Sequence, residues 1–252
     1  MMYPSQASIT RLVYQLRQII FPKHFGKVHS FIQVREMLKS QIEVSLLHGK
    51  QPIPENIGET SDKLLDMFFQ KLPVIKSILQ HDVEASLDGD PAAYSIDEII
   101  LAYPGFFAIF VCRMAHELSC MEVPLIPRMM CEYAHSKTGI DIHPNAEIGN
   151  RFFIDHGTGV IIGETASIGN RVKIYQGVTI GALSTKNAKQ LSGKKRHPTI
   201  EDDVVIYAGA AILGGNTVIG KGSTIGGNAF ITESIPPNSK IGGVYSNISR
   251  GE

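Results

Sequence analysis

The chain reads as an α+β, multi-domain protein, with an N-terminal α-helical domain followed by a solenoid of hexapeptide repeats. Three observations carry this reading. Apolar residues of the first half recur at helical spacing. From Ile142 onward an aliphatic residue instead falls every six positions, at Ile142, Ile148, Ile154 and Val160. After a slip of two the beat resumes at Ile162, Ile168, Ile174 and Ile180, and it returns at Ile200, Ile206, Ile212 and Val218. A one-residue slip then leads to Ile219, Ile225 and Ile231. Neither a helix (period 3.6) nor a lone strand (period 2) needs a six-step. A solenoid does, because each hexad supplies one short flat face and one turn, with its aliphatic pointing inward. Third, glycine follows the beat residue at Gly149, Gly163, Gly169, Gly181, Gly220 and Gly226, and Asn, Asp and Gly crowd the other turn positions.

The front half resolves into helices in order. Ser5 to Ile20 carries Ile9, Leu12, Val13, Leu16, Ile19 and Ile20 on one stripe. Val28 to His48 repeats the spacing, and Gly49 stands where a helix stops. Ser61-Asp62 is expected to open a third helix and Pro73 a fourth, running to about Leu87. A loop around Gly89-Asp90-Pro91 follows. Ser95 caps Ile96 to Tyr103, Pro104 opens a helix to Cys120, and Met129 to His135 is a last short helix. The expected boundaries are residues 1–138 for the helical domain, 139–243 for the solenoid, with an excursion at 182–198, and 244–252 for a tail. By pattern alone the helical half is a packing and oligomerisation module.

Composition narrows the function classes. Lys plus Arg (24) equals Asp plus Glu (24), which gives no electrostatic case for nucleic acid or an anionic membrane. Three cysteines, Cys112, Cys120 and Cys131, with no Cys-x-x-Cys pair, point to reduced thiols and a cytoplasmic setting. The start, MMYPSQASITRLVYQL, lacks the pattern of a signal peptide. The apolar run Tyr103 to Cys112 falls well short of the ~20 residues of a spanning helix and reads as a buried helix.

A hexad favours small or aliphatic residues, so costly polar groups are informative. Three places stand out: Asp141-Ile142-His143-Pro144, then Asp155-His156-Gly157-Thr158-Gly159, then the excursion ending in Arg196-His197-Pro198. A general base needs a neutral imidazole and a carboxylate to orient it. Asp141 precedes His156 by 15 residues. One coil of three hexads takes about 18 residues, so the two fit neighbouring coils roughly one strand spacing of ~4.8 Å apart. Alone, a histidine in such a turn is most often a surface residue bonded to backbone; the adjoining Asp155 and the earlier Asp141 shift the balance toward a base. The excursion carries Lys186, Lys189, Lys194, Lys195 and Arg196, which form either a solvated surface or a clamp for an anionic group. The forked guanidinium of Arg196 suits a carboxylate. His143, His156 and His197 could make a zinc set, but the solenoid lacks the His-x4-His spacing of zinc-bearing hexapeptide solenoids, and no metal is expected.

The segments DIHPNAEIG, DHGTGVIIGETASIG and RHPTIEDDVVIYAGAAILGG closely resemble serine O-acetyltransferases of the hexapeptide-repeat acyltransferase superfamily. The likeness extends through the Gly89–Ala92 loop and spans roughly residues 60 to 243. It implies a left-handed parallel β-helix, an exception to the right-handed crossover tendency. It implies transfer of an acetyl group from acetyl-CoA, as cosubstrate, to the hydroxyl of L-serine, feeding cysteine synthesis, with no permanently bound cofactor. His156 matches the general base and Asp141 its orienting aspartate. Asp90 and Asp155 match carboxylates that hold the serine ammonium, and Arg196 and His197 match groups that engage its carboxylate. Gly181, Ala208 and Gly227 match positions lining the pantetheine channel. The resemblance further implies a homo-oligomer, a trimer or a dimer of trimers joined by the helical domains. Members that bind cysteine synthase end in isoleucine; Glu252 departs from that and argues against the complex. The N-terminal thirty to sixty residues match poorly and read as an extension. Three alternatives stay open: an acetyltransferase for homoserine or a sugar, a zinc lyase on the same fold, and a non-catalytic scaffold.

Overall fold

The structure is a computed structural model that describes residues 3–28, 30–49, 52–184 and 193–242. It divides into two compact units, Met1–Asn145 and Ala146–Glu252.

The first unit holds seven helices among the described residues: α1 (Gln6–Ile20), α2 (Pro22–Phe25), α3 (Phe31–Leu46), α4 (Ile57–Gly89), α5 (Ile96–Ala102), α6 (Pro104–Cys120) and α7 (Ile126–Thr138). A two-residue strand, β1 (Asp141–Ile142), follows. The caps explain the starts. Side-chain oxygens of Ser5, Ser30, Asn56 and Ser95 accept the N–H three residues on, satisfying donors that a helix start leaves unpaired. Pro104 and Pro127 occupy first-turn positions, where the missing N–H costs nothing. The last helix is therefore longer than the expected Met129 to His135, and Gly139 ends it in the left-handed conformation at φ 70°.

Two expected helices prove to be one. α4 begins at Ile57, four residues before Ser61, and runs through Pro73 without a break. Leu65, Phe68, Leu72, Ile75, Leu79 and Val83 form one buried stripe across the proline, which itself lies on the exposed face. Water can take the carbonyl that Pro73 leaves unpaired, and burial of the stripe offsets a local penalty of about 3 kcal/mol. α6 is buried on most sides through Phe106, Ile109, Phe110, Val111, Met114 and Leu118, marking it as the central helix of the unit. It is joined to α4 by a bidentate pair. Arg113 donates to the fully buried Asp82 at 2.6 and 2.9 Å. No single helix among the described residues is long and apolar enough to cross a membrane.

The second unit is a parallel β-solenoid of three sheets. One contains β4 (Ile161–Ile162), β7 (Thr179–Gly181), β10 (Ala211–Leu213) and β13 (Phe230–Ile231). The second contains β2 (Glu147–Ile148), β5 (Ser167–Ile168), β8 (Thr199–Ile200) and β11 (Val218–Ile219). The third contains β3 (Phe153–Asp155), β6 (Lys173–Tyr175), β9 (Val205–Ile206), β12 (Thr224–Ile225) and β14 (Lys240–Ile241). The beat residues stack on one another: Ile148 on Ile168 on Ile200, Ile154 on Ile174 on Ile206, Ile162 on Ile180 on Ile212.

The slips in the beat are corners of unequal length. From β2 to β13, each inward strand residue is preceded, two positions earlier, by a second buried residue in the turn, as with Phe152, Ala166, Val172, Val178, Val204, Ala210, Thr217 and Ser223. Val160 belongs to this second row, and Ile162 is the strand residue. Val218 is likewise not an inward residue: it is half-buried and pairs with Thr199, whereas Ile219 stacks on Ile200 and is fully buried. The extra residue is absorbed in the Leu213–Thr217 corner, where Gly214 adopts φ 104°.

Candidate active site

The corner after β3 is longer than its neighbours, and it carries Asp155-His156-Gly157-Thr158-Gly159. His156, Gly157 and Gly159 all have positive φ, at 58°, 90° and 81°. A non-glycine residue in this region is uncommon, and the tight turn pushes the His156 side chain into solvent, where it is 74% exposed. Asp155, the last residue of β3, is only 13% exposed. Its Oδ1 lies 3.9 Å from Nε2 of His156, and its Oδ2 lies 3.3 Å from Nζ of Lys173 on the next coil. Lys173 is sandwiched between aromatic rings, its Nζ 4.8 Å from the Phe153 centroid and 4.6 Å from that of Tyr175. Burial works against its charge, but Tyr175 and Asp155 outweigh it and hold the ammonium pKa above the ordinary lysine value. Tyr175 continues the column by stacking on Tyr207, with centroids 5.1 Å apart.

A second cluster forms where the excursion rejoins the solenoid. Arg196 pairs with Glu164. The Thr165 hydroxyl oxygen accepts the backbone N–H groups of Arg196 (2.9 Å) and His197 (3.1 Å). The Thr165 N–H donates to Nδ1 of His197 at 3.1 Å, which puts the proton of the neutral ring on Nε2. His197 is 7% exposed, and its imidazole packs against Gly163, where any Cβ would collide with it. Lys195 braces the same turn, donating to the carbonyl of Thr165 at 2.7 Å, and burial pulls its pKa down. Lys186, Lys189 and the tail ending in Glu252 lie outside the described residues.

Of the three small residues expected along the channel, Ala208 and Gly227 are brought together. Ala208 accepts the N–H of Asn228 at 2.8 Å, and a Cβ on Gly227 would approach the same carbonyl to 3.2 Å. Gly181 closes β7 and pairs with Leu213.

Two expected site residues belong to the first unit. Asp90 caps the end of α4; its Oδ1 accepts the Ala92 N–H at 2.8 Å and its Oδ2 accepts the Tyr103 hydroxyl at 2.6 Å. Asp141 is the first residue of β1. Lys173, Glu164, Thr165 and Tyr103 escaped the sequence reading. Glu164-Thr165 was visible as a polar pair straight after a glycine corner, but Lys173 and Tyr103 gave no signal, because their importance lies in partners distant along the chain.

No family model matches the chain. The chain is similar to the plasmid serine acetyltransferase of Synechococcus elongatus, with 48% identity over 259 residues, covering 94% of this chain and 81% of the relative. Among solved structures it is similar to serine acetyltransferase isoform 3 of Entamoeba histolytica in complex with cysteine. The TM-score is 0.80 with 38% identity, covering 95% of this chain and 84% of the other. It is also similar to the Brucella abortus serine acetyltransferase in complex with coenzyme A, at a TM-score of 0.67 and 28% identity, covering 93% of each. With a relative of such identity spanning most of both chains, the chain belongs to the serine acetyltransferases, a family of acyltransferases.

Proposed function

We propose that the chain transfers the acetyl group of acetyl-CoA to the hydroxyl of L-serine, with His156 as general base and Asp141 orienting it. The observation that carries this reading is the exposed His156 imidazole at a left-handed corner, beside the shielded Asp155–Lys173 pair. His156 takes the serine proton as the serine oxygen attacks the thioester carbonyl. The tetrahedral oxyanion is met by backbone N–H groups near Gly181. Its collapse expels the CoA thiolate, which recovers the proton from the imidazolium, leaving O-acetylserine and CoA. Asp155 and Asp90 hold the serine ammonium. Arg196 turns from Glu164 to the serine carboxylate, and His197 anchors the turn that presents it. Gly181, Ala208 and Gly227 are the small residues assigned to the thin pantetheine arm. The active form is a homo-oligomer, a trimer or a dimer of trimers. Exposed Ile161 and Phe230, on the outer side of one sheet, support a surface that a second copy covers.

The test is thiol release from acetyl-CoA by pure protein across a panel of acceptors. Serine-dependent release is expected. Release with a sugar or homoserine in preference to serine, or none with serine, would overturn the reading.

A further inference from the structure

We propose that Glu132, His135 and Asp141 form a binding site for one divalent transition-metal ion, with zinc as the natural probe. One ligand atom from each residue lies within 4.8 Å of the other two. Glu132 and His135 stand one turn apart on α7 and face the same way. Asp141 opens β1, just beyond the left-handed Gly139 that ends the helix. The donors thus come from a helix face and the strand directly after it, joined through Gly139 and the buried Ile140.

The chemistry of the set points to a borderline ion. Two carboxylates balance a double positive charge, and an imidazole selects a first-row transition metal over calcium or magnesium, which take oxygen ligands. Zinc binds such N and O donors at about 2.0–2.2 Å, so tetrahedral donors stand roughly 3.4 Å apart. Side-chain rotations of about an ångström bring the three groups there, and water completes the sphere. Among the described residues of the first unit, no hydrogen bond or ion pair engages the Asp141 carboxylate, whose charge acts there on the buried Cys131 thiol. Glu132 is engaged by Arg128 and lies 3.4 Å from Nδ1 of His135, but the Arg128 pair is half-exposed and readily displaced.

A consequence rests on the proposed function. If Asp141 orients His156, an ion that takes up its carboxylate slows acetyl transfer, and zinc becomes an inhibitor that a chelator removes.

The experiment titrates full-length protein with zinc chloride against a chromophoric zinc chelator. One zinc per chain is expected, with His135→Ala and Glu132→Ala each weakening binding about tenfold or more. Circular dichroism confirms that both variants are folded. No zinc uptake by the folded wild type, or uptake unchanged in both variants, would overturn the site. In a parallel assay zinc lowers wild-type turnover and spares His135→Ala. Zinc uptake unchanged in a folded Asp141→Asn variant would overturn the three-residue site, whereas zinc bound through all three residues with wild-type turnover unaltered would leave the site standing and count against Asp141 in the catalytic scheme.

Discussion

The backbone N–H of Thr165 and the ring of His197 are joined at 3.1 Å, with the Thr165 hydroxyl 2.9 Å from the same ring nitrogen. One threonine thus sets the ring and the two backbone groups that carry Arg196 and His197. Thr165→Val removes the hydroxyl and leaves two N–H donors without their acceptor. A loss of about 1–3 kcal/mol in urea unfolding is expected. The KM for serine should rise more than kcat falls, because the variant disturbs the turn that presents the clamp rather than the base.

Gly163 lies under the same ring. Gly163→Ala forces the imidazole off its seat, and overpacking of this kind costs about 1–3 kcal/mol. Adding His197→Ala to that variant relieves the collision. A double-mutant cycle on denaturant midpoints should return a coupling energy, and additive effects would argue that the ring is not held where described.

His156→Ala removes the proposed base while its corner stays closed by Gly157 and Gly159. Turnover should fall by about 10²–10⁴. Binding of acetyl-CoA, followed by calorimetry, should remain near the wild-type value. Parallel loss of binding would point to a structural role for the imidazole.

Tyr103→Phe deletes one hydroxyl and with it the 2.6 Å bond to Asp90. Stability should drop by about 1 kcal/mol. The serine KM should rise several-fold with the acetyl-CoA KM unchanged, since Asp90 is assigned to the serine ammonium.

Lys173 makes a prediction for alkaline pH. Its pKa in the folded chain lies above the ordinary value of 10.5. A raised base pKa stabilises the fold fully below the unfolded value, and that contribution is lost as pH rises through the folded one. Urea midpoints should therefore decline above about pH 10.5, with the decline shallower in Lys173→Met than in wild type. The same slope in both proteins would assign the loss to other groups.

Much of the solenoid was legible because its signal is repetitive: Ile154, Ile174 and Ile206 announce themselves by spacing alone. The second buried row was not, because Thr217, Ser223 and Ala166 are chemically unlike one another and share only their position in the turn. Val218 misled for the same reason; a seven-step corner shifts an aliphatic outward by one place, and composition does not report corner length. Pro73 misled because a local rule was set against a stripe that continues on both sides of it. Within the candidate site, the motif residues Asp155, His156, Arg196 and His197 were visible as polar intrusions. Of their partners, Glu164 and Thr165 show only as a polar pair after a glycine corner, a coil before Arg196, and Lys173, one coil beyond Asp155, gives no signal.

Direct stacking of Ile180 on Ile212 and of Ile168 on Ile200 brackets the excursion on both sides. The chain leaves the stack after Gly181, rejoins it from Lys195 and is in register again at Thr199, so the bracket closes around the chain that lies between. Loop length is thereby decoupled from folding. Chain length can change before Lys195 while every coil keeps its neighbours, whereas a single inserted residue inside β7 or β8 would turn inward faces outward. The solenoid thus offers a grafting port between β7 and β8, at which sequence can be rewritten without redesigning the core.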